Sequence, residues 1–164
     1  MLPKKVQDAL NQQINHELYS SYLYLAMAAH FDCTNLPGFA HWMRVQSREE
    51  TEHGMKFFHY VNERGGRVVL DAIAKPPTDF KTPLDTMKKV LEHEKKVTGT
   101  IEALYELSLK EKDYATQVLL HWFIKEQVEE EKNATEIVEM LKAIGDAPAG
   151  LAMLDSKLGG RGKG

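Results

Sequence analysis

Five side chains stand out for the chemistry they could support: Glu17, Glu50, Glu94, Glu130 and His53. Each glutamate interrupts a run of apolar residues spaced at three- and four-residue steps, the spacing that lines one face of an α-helix. His53 follows Glu50 by three residues, so both side chains share one helix face. Buried carboxylates are costly when uncompensated, and clustered ones repel further. A pair of divalent cations would neutralise four of them, with the imidazole as a nitrogen ligand among oxygen donors. A lone glutamate on a helix is normally solvated, and E-x-x-H recurs by chance. The conjunction of four carboxylates with one histidine is what points to metal. His16, His30, His41, His59, His93 and His121 lie off these positions and read as surface or packing residues, and Glu131 reads as part of a solvated face.

The elements that must position these groups are four long helices. They are expected over about Lys4 to Cys33, Leu36 to Arg64, Thr82-Pro83 to Lys110, and Asp113 to Ile144, with Gly65-Gly66 and Gly145 as stops. The inward stripe of the first is Val6, Leu10, Gln13, Glu17, Ser20, Tyr24, Met27 and Phe31. The second gives Phe39, Met43, Gln46, Glu50, His53, Phe57 and Tyr60, and the third Leu84, Met87, Leu91, Glu94, Thr98, Ile101 and Leu104. The fourth is read as Ala115, Leu119, Trp122, Glu126, Glu130, Asn133, Ile137 and Leu141. Every stripe is apolar toward its ends and carries a carboxylate near its middle, so antiparallel packing brings the four carboxylates to one level. Short turns join the first to the second helix and the third to the fourth. The long segment RVVLDAIAKPPTDFKT between the hairpins is a crossover. The fold class is therefore all-α: a four-helix bundle over about 4–144, a short fifth C-terminal helix over about 149–158, and a flexible tail, 159–164. The whole of 1–164 reads as one domain.

Composition narrows the partners. A formal net charge of −3 argues against nucleic acid, and one cysteine, Cys33, excludes a disulfide framework or a cysteine-based metal site. No apolar run is long enough for a membrane span, and the N-terminus lacks the apolar core of a signal peptide, so the expected location is cytoplasmic.

Three segments, NHELYSSYLYL, SREETEHGMKFF and WFIKEQVEEE, make the chain resemble the bacterial and archaeal non-haem ferritins over essentially its whole length. The resemblance implies a ferritin-like fold and an iron-storage role, with Fe(II) oxidised by dioxygen or peroxide at an intra-subunit di-iron centre. It assigns Glu17, Glu50 and His53 to the first iron, with Glu50 bridging to a second completed by Glu94 and Glu130. Gln127 would stand beside the second iron, Tyr24 next to both, and Glu49, Glu126 and Glu129 would join Glu130 at a third position. It also implies a homo-oligomer, a cage of 24 subunits. No haem is expected, because Thr51 stands where bacterioferritins carry the haem-ligating methionine. The second E-x-x-H of many two-metal proteins is missing, since the fourth helix reads Gln127-Val128-Glu129-Glu130. Gln117 and Leu120 occupy the places where animal ferritins line a threefold channel with acidic residues.

Two other classes fit the bare pattern: a di-iron or di-manganese enzyme that keeps its metals, and a non-enzymatic bundle or shell whose polar cluster only sets helix register. Iron loading beyond a few atoms per chain separates storage from both.

Overall fold

The computed structural model describes residues 1–162. It contains α1 (Lys4–Cys33), α2 (Pro37–Glu63), α3 (Pro83–Lys110), α4 (Tyr114–Ile144) and α5 (Pro148–Leu158). The helix ends follow local chemistry. After α1, Asn35 adopts a left-handed conformation (φ 58°) that reverses the chain, and Pro37 supplies the first turn of α2. Thr82 caps α3 by accepting from the Asp85 N–H at 3.1 Å while its hydroxyl donates to the Asp85 carboxylate at 2.8 Å. Gly65 and Gly145 take positive φ just beyond α2 and α4.

Helices α1 and α2 form one hairpin, α3 and α4 the other, and α1 also packs on α3. The crossover, residues 64–82, has no regular structure, yet its backbone is held along the outside of α1. Gln7, Asn11 and Asn15, spaced one helical turn apart, exchange side-chain hydrogen bonds with the backbone of Arg67, Val69 and Ala72 at 3.0–3.1 Å. Two apolar clusters fill the bundle. One holds Tyr24, Met27, Phe31, Phe39, Met43 and Met87, the other Val6, Leu10, Phe57, Ile101, Leu120 and Phe123. The carboxylate-bearing level lies between them. No helix among the described residues is long and apolar enough to cross a membrane.

The stripe of α1 is buried along its whole expected course. Three expectations need correction. In the first half of α4 the buried residues are Thr116, Leu120, Phe123 and Gln127, so Ala115, Leu119, Trp122 and Glu126 lie on its flank. A strict three/four alternation drifts relative to a 3.6-residue turn, and in α4 a one-residue error resulted. Leu120, at a place corresponding to a channel-lining position of animal ferritins, is instead fully buried inside its own bundle. The tail is not free throughout: residues 159–162 form turns, and Arg161 packs on α2. Residues 163–164 of that tail lie outside the described residues.

Helix α5 sits on the start of α2. The Asp155 carboxylate accepts from the Phe39 N–H at 2.9 Å, satisfying one of the unpaired donors of the first turn. Gly38 permits the approach, since a Cβ there would fall 1.7 Å from the Asp155 carbonyl oxygen.

Candidate metal centre

Between the two apolar clusters the four helices present Glu17, Glu50, Glu94 and Glu130, all buried, together with buried His53. Among the described residues, two groups of three possible ligands have their donor atoms within 4.8 Å of one another: Glu17, Glu50 and His53, and His53, Glu126 and Glu130. His53 links them. Its Nδ1 lies 3.4 Å from Glu50 Oε2 and its Nε2 lies 3.9 Å from Glu126 Oε1. The ring is held edge-on against Trp122 and Phe123.

Glu94 belongs to neither group, and both its carboxylate oxygens are engaged. Tyr24 donates its hydroxyl to Glu94 Oε1, and the Gln127 amide donates to Glu94 Oε2 at 3.1 Å. Glu17 and Glu50 are steadied by amides one turn earlier on their own helices, and Glu130 by one of these from across the bundle. Gln13 donates to Glu17 Oε1 at 2.9 Å. Gln46 donates to Glu50 Oε1 at 3.2 Å and to Glu130 Oε2 at 2.7 Å. One atom is left over: Glu17 Oε2 is buried and has no hydrogen-bond partner.

Burial, followed by the Glu50 charge, holds the Glu17 carboxyl well above the usual range. Glu50 is raised strongly by burial and then by Glu94. Burial also raises Glu94, against the opposing hydrogen bonds from Tyr24 and Gln127. For Glu130, burial and then the Glu94 charge push the carboxyl up to about 7. Burial and the surrounding carboxylates raise the Tyr24 phenol well above its ordinary value. Without a cation the cluster favours its protonated forms; a divalent ion reverses that preference.

The ferritin-like domain family matches residues 7–144. This chain belongs to the ferritin family. It is 44% identical over 161 residues to a bacterial non-haem ferritin of Bacteroides fragilis, covering 98% of this chain and 100% of that one. With the bacterial non-haem ferritin of Staphylococcus aureus it shares 40% over 161 residues, 98% of this chain and 97% of the other. Among solved structures it is similar to an open-pore ferritin from the hyperthermophilic archaeon Archaeoglobus fulgidus, with TM-score 0.97 and 49% identity over 98% of this chain and 99% of that one. An engineered closed form of the same archaeal ferritin gives TM-score 0.97 and 50% identity, covering 98% of each chain.

The remaining candidates of this ferritin chain are unequally placed. Glu126 is half-buried and approaches His53, whereas Glu129 is exposed. Glu49 is held by Arg161, whose Nη2 donates to Glu49 Oε2 at 2.7 Å. Glu131, expected on a solvated face, is instead partly buried and accepts from Thr98 Oγ1 at 2.7 Å. His93 is the packing residue expected: it touches the Tyr19 and Tyr24 rings and its Nε2 bonds Ser20 Oγ at 2.7 Å. Sequence reasoning missed the roles of Gln13, Gln46 and Arg161. The Q-x-x-x-E spacing at Gln13/Glu17 and again at Gln46/Glu50 is the signal that could have found the first two. No comparable signal marks Arg161.

Proposed function

We propose that this ferritin takes up Fe(II) as substrate at the buried carboxylate level, oxidises it, and stores the ferric product inside a homo-oligomeric shell of 24 subunits. Glu17, Glu50 and His53 bind the first ion, Glu50 bridges, and Glu94 and Glu130 complete the second with Gln127 beside it. Glu49, Glu126 and Glu129 with Glu130 form a third iron position. Two Fe(II) together supply two electrons, enough to take dioxygen to peroxide, and peroxide itself is the alternative oxidant. Tyr24 orients Glu94 by hydrogen bonding.

The observation that carries the reading is the unpartnered, buried Glu17 Oε2 within a group that also holds Glu50 and His53. Among the described residues no amide, hydroxyl or basic group is aimed at that atom, so beyond a proton shared with Glu50 a cation is what would satisfy it. Oxygen donors with one imidazole suit Fe(II), and carboxylates favour the Fe(III) product.

The test is the double substitution E50A/H53A in the full chain. Rapid Fe(II) oxidation, followed by ferric absorbance, should be lost while assembled size is unchanged, because the ligands lie inside each bundle. Oxidation at the unaltered rate would overturn the assignment. Loading of the unaltered protein beyond a few iron atoms per chain separates storage from an enzyme that retains its metals.

A further inference from the structure

Arg161 lies beyond α5, in the last described turn, yet it reaches the polar level of the bundle. Its guanidinium stacks over the Trp42 ring, 4.5 Å from the centroid, and its carbonyl accepts from His41 Nε2 at 2.7 Å. Nη2 donates to Glu49 Oε2 at 2.7 Å, and Nη1 donates to Gln46 Oε1 at 2.9 Å. The last contact has a consequence for the centre. Arginine is only a donor, so the Gln46 atom it touches must be the amide oxygen. The Gln46 nitrogen is then committed to the opposite side, where it donates to Glu130 Oε2 at 2.7 Å and Glu50 Oε1 at 3.2 Å. Were the amide to flip, Gln46 would point an oxygen at two carboxylates. Arg161 thus sets which way the amide faces, and the amide sets which oxygens of Glu130 and Glu50 remain for a cation.

We propose that Arg161 is a positioning residue of the metal centre, acting through the Gln46 amide on Glu130 and Glu50 and so tying the C-terminal turn to the bundle core. The inference rests on reading the cluster as a two-metal centre. Partners that orient metal ligands in this way typically change metal affinity by about 10- to 100-fold when removed. The fork geometry matters: a lysine at this position could still neutralise Glu49, but one ammonium does not span Glu49 and Gln46 in the same bidentate manner.

Zn(II) titration calorimetry on the chelator-stripped full-length protein tests this, with melting temperature and assembled size as controls. R161A should weaken the weaker of two zinc sites by about tenfold, with both controls unchanged. R161K should resemble R161A. Q46A should give a similar loss, and adding R161A to Q46A should cost nothing further, because the two act along one path. Independent, additive losses would overturn the proposal, as would unaltered zinc binding in R161A. If the unaltered chain shows no two-site zinc binding, the two-metal reading falls and this inference falls with it. Two-site binding indifferent to Arg161 sinks the inference alone.

Discussion

At the scale of single residues, the arrangement separates ligands that are ready from ligands that are engaged. Glu17, Glu50 and His53 already converge, with Glu17 Oε2 unpartnered. Glu94 must give up contacts to Tyr24 and Gln127 before both its oxygens serve a cation. In the proposed two-ion arrangement, a second ion would also meet the first ion's charge across a shared Glu50. Crystals soaked in substoichiometric Zn(II) should therefore show density beside His53 first, and His53→Ala should erase the order. Density arriving first between Glu94 and Glu130 would refute the ranking. The carboxyls also predict a pH dependence in the metal-free protein. Glu130 keeps its proton up to about 7 in the fold, chiefly through burial, against about 4.3 in an unfolded chain. Unfolding releases that proton between these values, so this contribution to stability falls as pH rises through the window. His93 acts in the opposite sense, since burial lowers it to about 4 and its share of stability is lost as pH falls below its ordinary value. Glu130→Gln removes the first effect and leaves His93 in place. Its stability relative to the unaltered protein should grow by on the order of 3 kcal/mol between about pH 5 and about pH 8. A difference that stays flat in chelator-containing thermal melts would mean that Glu130 ionises normally.

At the scale of elements, the contact between α5 and the start of α2 is the most exacting joint. Gly38 leaves room for the Asp155 carbonyl, and Asp155 in turn satisfies the Phe39 N–H. Gly38→Ala should force α5 outward and cost about 1–3 kcal/mol, the usual range for overpacking. Thermal denaturation of the metal-free protein would register this as a drop of several degrees, and an unchanged melting temperature would show that α5 is not seated there. This joint was illegible in the sequence, because it pairs residues more than a hundred positions apart without a periodic pattern. The four long helices and their midpoint carboxylates were legible, since each stripe repeats over many turns and several ends carry proline, glycine or a capping threonine. Reading failed where periodicity was weakest. The start of α4 is apolar on several sides, with Leu119, Leu120, Trp122 and Phe123 in near succession. Burial chose Leu120 and Phe123, and Trp122 was left against His53 and under Lys56 at the surface. The four carboxylates and His53 were legible as residues brought to one level, but their hydrogen bonds were not, because amide partners are chosen by three-dimensional register.

At the scale of the whole molecule, what remains is apolar surface that a lone bundle leaves in water. The apolar Leu151–Leu158 stretch is one candidate for contacts between subunits, but most of its apolar surface is already used. Its Leu154 and Leu158 pack on the chain's own bundle, leaving Met153 outward. A stronger candidate for assembly is the start of α4, where Tyr114 and Val118, one turn apart, are 71% and 69% exposed. Neither belongs to either apolar cluster, so a charge there should leave the bundle intact and act only between chains. Val118→Glu should lower the assembled mass measured by light scattering while the helical content stays the same. Removal of residues from Ala149 onward should behave differently, because it takes away Leu154, Leu158 and the Asp155 cap of α2. Truncation should therefore lower the melting temperature as well as alter assembly. The pair of variants separates the two expected roles, α5 in the fold of one chain and the exposed face of α4 in contacts between chains. If Val118→Glu assembled to the unaltered mass and the truncated chain alone fell apart, the shell contacts would have to be carried by α5 and its turn instead.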